Sequence, residues 1–317
     1  LRGNDTNVHK VMKTKLLIIL GPTASGKSDL AVQLAKKYNG EIISADSRQI
    51  YKGLNICTGK ITKKEMSGIK HHLLDVTDPK KVFTVSQFKT LVEIAIADIS
   101  SRGKLPIICG GTGFYIQAVV DNIILPEVPP NKKLREKLNK KTTTELFEIL
   151  KKLDNERAKN IDAKNPRRLI RAIEIAEKLG KVPPLNLPRP LLENTQGKVS
   201  SNLMDRYSPI FIGIKTDPQI LKEKIHNRLL KRLKNGMLSE AKKLHSKGLS
   251  WKRMEDLGLE YRYMARFLQK KITKEEMIVQ LEKEIWQYAK RQGTWWKKDG
   301  RVKWINLEET INLNLKN

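Results

Sequence analysis

The chain has 317 residues, which is enough for two domains or for one domain with a large insertion. Lysine and arginine number 62 and aspartate and glutamate 34, so the formal net charge is +28. An excess of this size indicates a polyanionic partner, nucleic acid first and an anionic membrane second, unless the composition is simply lysine-rich throughout. The two cysteines, Cys57 and Cys109, lie far apart, which excludes a disulfide framework and a cysteine zinc cluster.

Hydropathy and the first residues of the chain bear on its location. No apolar run approaches the ~20 residues of a membrane span, and no secretory signal is visible. We therefore expect a cytoplasmic protein with no membrane partner. Residues 1–11 are polar and aperiodic and precede Met12, so we expect them to be a disordered leader or an artificial remnant.

The first apolar run, residues 16–20, leads directly into Gly21-Pro22-Thr23-Ala24-Ser25-Gly26-Lys27-Ser28. This segment matches the P-loop pattern G-x-x-x-x-G-K-[ST] at each fixed position, between a strand-like and a helix-like segment. Its backbone N–H groups would converge on phosphate oxygens, Lys27 would neutralise phosphate charge, and Ser28 would be a ligand of Mg²⁺. The alternative is a chance turn, but the context favours a phosphate site.

Strands and helices then alternate. Residues 41–46 and 105–109 are typical of buried strands, residues 70–75 form a further ordered stretch, and residues 85–101 have helical spacing of apolar side chains. This order predicts an α/β fold: a P-loop parallel-sheet core with helices on both faces. Polar clusters follow three of the strands, at the edge where ligands bind in such sheets, so we expect one shared site.

The alternation stops near residue 122, and the chain becomes helical and basic. Residues 131–182 contain sixteen lysines and arginines against eight acidic residues, with a capping box at Thr142 and an Asn165-Pro166 helix start. Strand character returns at residues 209–214. We therefore predict an inserted basic all-helical lobe over residues 122–199, between the two core segments 12–121 and 200–317.

Asp46 is the first candidate for acid–base chemistry, because it follows the strand beside the phosphate loop. The alternatives are a Mg²⁺ ligand or a helix cap. The strand at residues 107–109 runs into Gly110-Gly111 rather than an aspartate, which weighs against an ATPase cycle.

Two arginine pairs have the i/i+4 spacing of one helix face, Arg167 with Arg171 and Arg228 with Arg232. The first pair suits RNA phosphates or bases, or is a solvated face. Either arginine of the second pair could close over a diphosphate.

With these motifs in place, the sequence resembles the tRNA dimethylallyltransferases, which prenylate an adenine beside the anticodon. The resemblance covers about residues 16–306. It rests on the P-loop together with further segments in the family's order: Ser44 to Tyr51, His71 to Asp75, Gly110 to Tyr115, Asn165 to Ala172 and Tyr288 to Trp295.

The resemblance implies a monomeric enzyme of bacterial type that moves a dimethylallyl group from dimethylallyl diphosphate to the N6 amine of adenine in the tRNA anticodon stem-loop, with Mg²⁺ as cofactor. The implied catalytic residues are Asp46 as the base, Thr23, Lys27 and Arg228. The implied diphosphate-binding residues are Gly21, Thr23, Ala24, Ser25, Gly26, Lys27 and Ser28, with Ser28 on the metal. The implied tRNA-binding residues are Asp46, Ser47, Arg48, Gln49, Thr112, Arg135, Arg167, Arg168, Arg171, Leu257, Gly258, Tyr261 and Arg262.

The sequence departs from the family pattern at three places. Residues 55–61 read Asn-Ile-Cys-Thr-Gly-Lys-Ile where Asp-Ile-Gly-Thr-Ala-Lys-Pro is usual, Leu230 stands where an aspartate is common, and Glu260 interrupts a Gly-Leu-Gly-Tyr-Lys segment. Two other functions remain open from the residues alone: an ATP-dependent small-molecule kinase, and a non-enzymatic, nucleotide-regulated RNA-binding protein. The first does not need the basic lobe, and the second does not explain Asp46 beside a phosphate site.

Overall fold

The computed structural model describes residues 13–183 and 207–307. The predicted leader, residues 1–11, and the part of the predicted lobe beyond residue 183 lie outside the described residues. The strands are β1 (Thr14–Leu20), β2 (Gly40–Ser44), β3 (His71–His72), β4 (Leu105–Gly110), β5 (Tyr207–Ile214) and β6 (Val302–Ile305). Helices among the described residues are α1 (Lys27–Lys37), α2 (Lys63–Met66), α3 (Val85–Ser101), α4 (Gly113–Val120), α5 (Lys132–Leu138), α6 (Thr143–Leu153), α7 (Asn155–Lys159), α8 (Pro166–Leu179), α9 (Pro218–Lys234), α10 (Met237–Ser246), α11 (Trp251–Leu257), α12 (Leu259–Leu268) and α13 (Lys274–Trp296). None of the described helices is long and apolar enough to cross a membrane.

The strands form one parallel sheet in the order β3-β2-β4-β1-β5-β6. Side chains of β1 alternate between two cores: Leu17 and Ile19 pack on the side of α1, and Leu16, Ile18 and Leu20 pack on the side of α3, α4 and α9. Because both faces of β1 are covered, the strand is continuously apolar rather than alternating. The predicted α/β core, with helices on both faces of a parallel sheet, is confirmed.

A second compact unit, Ile123–Ser200, is formed by residues between the two segments of the sheet unit, Leu1–Asn122 and Ser201–Asn317. Its described residues are helical, and α6 and α8 pack around their own apolar core through Leu146, Leu150, Leu169 and Ile173. The helix starts follow from the sequence, since Thr142 forms a capping box with Glu145 and the Asn165 side chain caps α8.

The amino-terminal edge of the sheet holds a buried charge network. The Glu41 carboxylate is 2% exposed and accepts hydrogen bonds from Arg102 at 2.5 and 2.7 Å, from Lys104 at 2.8 Å and from His72 at 2.8 Å. The hydrogen bonds from Arg102 hold the pKa of Glu41 well below its usual range. These partners tie β2 to the short β3 and to the start of β4. The predicted ordered stretch at residues 70–75 contributes only two residues to the sheet.

At the carboxyl edge of the sheet the loops after β2 and β4 are held in contact. The Ala45 N–H donates to Cys109 O at 2.8 Å, and the Thr112 N–H donates to Ala45 O at 3.2 Å. A methyl group on Gly110 would lie 2.2 Å from Ala45 O, so this approach of two backbones requires glycine.

We predict that Gly110→Ala lowers the free energy of unfolding by about 1–3 kcal/mol, because the added methyl group forces β2 and β4 apart. Gly293→Ala is the matched control, since nothing lies within 4 Å of its added methyl group. This position is inside α13, so the control should be stabilising by about 0.5–1 kcal/mol. Thermal and urea unfolding measure both effects, and equal stabilities for Gly110→Ala and the wild-type protein would contradict the packing argument.

Candidate active site

One cavity of about 430 Å³ is lined by residues of the phosphate loop, of α9 and of the loop that follows β2. It brings together Thr23, Lys27, Ser28, Asp46 and Arg228, which the sequence places up to two hundred positions apart. The arrangement puts a carboxylate and a set of cations around one volume.

The phosphate loop has the backbone that its glycines predict. Gly26 has φ of +87° and is the residue before α1, so the first N–H groups of that helix point out of the loop. A methyl group on Gly21 would lie 2.8 Å from the Ser25 hydroxyl. That hydroxyl is buried and finds no hydrogen-bond partner among the described residues. Ala24 lines the cavity, and its φ of +65° bends the loop.

Lys27 lies in this cavity and forms no ion pair with a carboxylate of residues 13–183 or 207–307. Its Nζ donates to Pro22 O at 3.0 Å. Burial lowers the pKa of Lys27, and the nearby Arg228 lowers it further. A cation desolvated in this way is stabilised by any anion that enters, so the site is prepared for phosphate oxygens.

Arg228 reaches the phosphate loop from α9. Its guanidinium donates to Thr23 Oγ1 at 3.1 Å and to Gly59 O at 3.4 Å. Burial and then the like charge of Arg232 lower the pKa of Arg228 to about 10. Thr23 and Arg228, which the sequence analysis predicts to be catalytic, are therefore joined directly by a hydrogen bond.

Arg232 is not among the residues that line the cavity, but its guanidinium lies beside Gly59 together with that of Arg228. It donates to Cys57 O at 3.2 Å and to the buried Glu260 carboxylate at 3.2 Å. Gly59 makes room for both arginines, because a methyl group there would overlap the two guanidinium groups. The pKa of Glu260 is raised by burial, which outweighs the opposite effect of Arg232 and Arg228.

Asp46 lines the same cavity and follows Ala45 in the loop after β2. Its Oδ1 accepts from the Arg48 N–H at 2.8 Å and the Gln49 N–H at 3.3 Å, so the carboxylate closes a local turn. Oδ2 accepts no hydrogen bond from the residues the structure describes. Gln49 is held in turn by Gly59 O at 3.3 Å. One oxygen thus fixes the side chain, and the other is left for a proton or a cation.

Three side chains that sequence reasoning missed hold these loops. Gln292 on α13 accepts from the Thr23 N–H at 2.7 Å and donates to Gly111 O at 2.9 Å. Glu240 on α10 accepts from the N–H groups of residues 55–57 at 2.7–3.0 Å. Glu260 is the third. Their partners lie far away in the sequence, so no local pattern shows which groups they bind. Gln292 does lie in the segment from Tyr288 to Trp295, but that segment does not indicate which loops it joins.

Residues predicted to contact RNA in the sheet unit fall into two groups. A methyl group on Gly258 would lie 3.6 Å from Arg262 and 4.0 Å from Arg48, so these two guanidinium groups converge. Thr112 Oγ1 accepts from the Ser47 N–H at 3.1 Å and thereby braces the loop that carries Asp46.

Leu257 and Tyr261 form the second group. Each is 1% exposed, and the Tyr261 hydroxyl donates to Glu240 at 2.7 Å. Burial of these side chains removes them from direct contact with RNA, so their role is to hold Gly258 and Arg262 in place.

Two of the four arginines predicted to bind RNA in the second unit are held by one carboxylate, that of Glu174. Glu174 is 2% exposed and accepts from Arg135 Nε and Nη2, both at 2.6 Å, and from Arg171 at 3.3 Å. Arg135 and Arg171 are thereby fixed side by side with their remaining N–H groups outward. Arg167 and Arg168 lie exposed in the first turn of α8.

The side chains around the phosphate loop fit a magnesium ion. The Ser28 hydroxyl and the Asp46 carboxylate both line the cavity, and oxygen ligands of this kind are what Mg²⁺ prefers. Among the described residues, one group of acidic and histidine side chains could hold a metal ion, Glu41, His72 and Asp98. It lies outside the cavity lining, and both of its carboxylates already accept hydrogen bonds from Arg102.

We predict that affinity for inorganic diphosphate falls as the pH rises past about 10, because the pKa of Arg228 is lowered to that value and only the charged form attracts an anion. Titration of the ligand acts in the opposite direction, since diphosphate only gains negative charge as the pH rises. Arg228→Gln should bind about tenfold more weakly at pH 8 and show a smaller fall, because the part that remains comes from Lys27, whose pKa is also lowered by burial.

Lys224→Gln is the control, because it removes a positive charge from the same cavity wall but leaves Arg228 in place. It should keep the fall near pH 10. Calorimetric titrations of the three proteins between pH 8 and 11 give the comparison, and an unchanged profile in Arg228→Gln would contradict the assignment.

Comparison with known proteins identifies the family of this chain. The chain matches the IPP transferase family model over residues 49–299. The tRNA dimethylallyltransferase 2 of Treponema denticola is 41% identical over 302 residues, which cover 92% of this chain and 96% of that protein. A tRNA dimethylallyltransferase of Caldanaerobacter subterraneus subsp. tengcongensis is 38% identical over 303 residues, 94% of this chain and 93% of that protein.

Solved structures give the same result. The full-length tRNA isopentenylpyrophosphate transferase of Bacillus halodurans superimposes with a TM-score of 0.67 at 35% identity, covering 93% of this chain and 90% of that one. A eukaryotic dimethylallyltransferase acting on tRNA superimposes with a TM-score of 0.74 at 29% identity, covering 92% of this chain and 74% of that one. The resemblance inferred from the sequence is confirmed: this chain belongs to the IPP transferase family, together with the tRNA dimethylallyltransferases.

Proposed function

We propose that this protein transfers a dimethylallyl group from dimethylallyl diphosphate to the N6 amine of an adenine next to the anticodon of tRNA and releases diphosphate. The observation that carries the proposal is that Asp46 and the cations of the phosphate loop line one cavity. Membership of a family whose relatives are named tRNA dimethylallyltransferases supports it. No observation favours the kinase or the non-enzymatic RNA-binding alternative.

The leaving group is served by the cationic side of the cavity. As the bond between the allylic carbon and the diphosphate oxygen breaks, its electron pair stays on the diphosphate, which gains negative charge. Lys27 and Arg228 face that charge, and the Thr23 hydroxyl keeps Arg228 in position. Fixed cations that need no reorganisation are an efficient way to stabilise such a transition state.

The nucleophile is served by Asp46. The N6 amine of adenine is a weak nucleophile whose proton must leave as its bond to the allylic carbon forms. With Oδ1 tied to the loop backbone, Oδ2 of Asp46 is the oxygen that accepts this proton. Reaching the cavity requires that the base be turned out of its stack in the RNA loop.

Magnesium is the proposed cofactor. Ser28, which lines the cavity beside Lys27, would hold it, and Asp46 would keep its free oxygen for the proton. When bound, the ion supplies further positive charge for the diphosphate. The tRNA anticodon stem-loop is the proposed partner of Arg48 and Arg262 in the sheet unit, and of Arg135, Arg167, Arg168 and Arg171 in the second unit.

We predict that Asp46→Asn abolishes transfer and leaves tRNA binding largely intact. Asparagine keeps an oxygen for the turn at residues 46–49 but cannot accept the proton, so the rate should fall at least about 100-fold. The assay incubates unmodified tRNA with labelled dimethylallyl diphosphate and Mg²⁺ and scores label on the RNA, with ATP as the alternative donor. Normal turnover by Asp46→Asn would remove Asp46 as the base, and label from ATP alone would favour a kinase.

We predict that Glu174→Gln weakens tRNA binding on the order of tenfold, because Arg135 and Arg171 lose the carboxylate that holds them together. Simple electrostatics predicts the opposite, since the change removes a negative charge from a protein that binds a polyanion. Glu177→Gln on the same helix is the matched control, because Glu177 is exposed.

Fluorescence anisotropy with a labelled anticodon stem-loop at two salt concentrations measures both variants. Thermal unfolding checks that the second unit is folded in each. Tighter binding by Glu174→Gln, of the same size as in Glu177→Gln, would rule out the positioning role of this carboxylate.

A further inference from the structure

Gln292 connects two loops of the active site from the far end of the chain. It lies in α13 and is 7% exposed. Its Oε1 accepts from the Thr23 N–H at 2.7 Å, and its Nε2 donates to Gly111 O at 2.9 Å. Thr23 follows β1 and Gly111 follows β4, so a single amide group spans the carboxyl ends of two neighbouring strands.

The two main-chain partners fix the orientation of this amide. A backbone N–H needs an acceptor and a backbone carbonyl needs a donor, and only a side chain with both can serve the two at once. Each group would be left without a partner in a largely buried place if the amide were lost. Glutamine at this position is therefore required by its chemistry as well as by its size.

Gly111 confirms how closely the amide fits. A methyl group on Gly111 would lie 2.0 Å from Gln292 Nε2 and 2.9 Å from its carbonyl carbon, and the three atoms nearest to that methyl group all belong to Gln292. The contact with Gln292 therefore explains why residue 111 is a glycine.

Each of the two loops carries one half of the proposed chemistry. Thr23 accepts from Arg228 at 3.1 Å, so its position sets where the leaving group is held. Thr112, which follows Gly111, accepts from the Ser47 N–H at 3.1 Å and so braces the residue next to Asp46. The separation between base and leaving group depends on how these loops are joined.

We propose that Gln292 is a positioning residue that sets the distance between Asp46 and the diphosphate-binding group formed by Thr23 and Arg228. The inference rests on the proposed transfer reaction. In a displacement the nucleophile, the allylic carbon and the leaving oxygen must lie in line, and misplacement by about 1 Å costs on the order of 100-fold in rate. Gln292 does not line the cavity, so its contribution passes through the two loops.

The first experiment compares Gln292→Met, which keeps the volume of the side chain and loses both hydrogen bonds, with Gln287→Met on the same helix. We expect kcat to fall about 10- to 100-fold in Gln292→Met, when it is calculated per protein molecule able to bind diphosphate. The dissociation constants for inorganic diphosphate and for tRNA should change less than kcat, by about threefold or less. Gln287→Met, whose side chain is only partly buried, should match the wild-type protein in all three measurements.

The second experiment tests the same contact from the other side. Gly111→Ala should reproduce the loss of kcat, since its methyl group displaces the amide of Gln292. In the Gln292→Ala background the methyl group has room, so Gly111→Ala should cause little further loss. Should Gln292→Met fail to fold, this cycle of Gly111→Ala and Gln292→Ala carries the test.

The outcomes separate the inference from the proposed function. If the wild-type protein transfers no label to tRNA, the proposed function fails. If the wild-type protein transfers label and Gln292→Met has an unchanged kcat, or loses binding sites and activity in equal proportion, the positioning role fails and the function stands. Additive losses in the Gly111 and Gln292 cycle would also overturn the positioning role.

Discussion

The active site depends on holding several cations close together in a partly buried place before any anion arrives. Lys27 and Arg228 contact the phosphate loop, and Arg232 lies next to Arg228. Burial together with like charge lowers the pKa values of Lys27 and Arg228. Each of the three cations donates to a main-chain carbonyl, and Arg232 also donates to the Glu260 carboxylate. A full salt bridge to Lys27 or Arg228 would have to be broken by the substrate, whereas carbonyl dipoles hold these cations without neutralising them.

The loop at residues 55–59 supplies two of those carbonyls and is itself held by an anion. The Glu240 carboxylate accepts three successive main-chain N–H groups, and the Tyr261 hydroxyl donates to it as well. With its N–H groups bound on one side, the loop turns the carbonyls of Cys57 and Gly59 toward Arg232 and Arg228. The positions of the cations are therefore traced back through a main-chain segment to a carboxylate on α10.

The sequence was sufficient to predict the parts of the site whose residues are neighbours in the chain. The phosphate loop and Asp46 follow strands directly, so a strand pattern and a short motif locate them. The contacts of Gln292, Glu240 and Glu260 could not be found in this way, because their partners lie up to 269 positions distant. The segment from Tyr288 to Trp295 includes Gln292 but does not indicate which loops it joins. Burial also separates residues that a motif treats alike: in the segment at 257–262, Tyr261 faces the core and Arg262 does not.

The departures of this chain from its family's pattern become intelligible once the site is seen to use main chain at residues 55–59. The Cys57 thiol is buried against Met237 O at 3.6 Å, where burial raises its pKa, and its carbonyl still accepts from Arg232. Gly59, with φ of +58°, leaves space that even a methyl group would take from the two arginines. Leu230, where an aspartate is common, is 42% exposed and outside the cavity lining. The changes at residues 57, 59 and 230 remove no hydrogen-bond acceptor of Arg228, because its acceptors are the Thr23 hydroxyl and the Gly59 carbonyl.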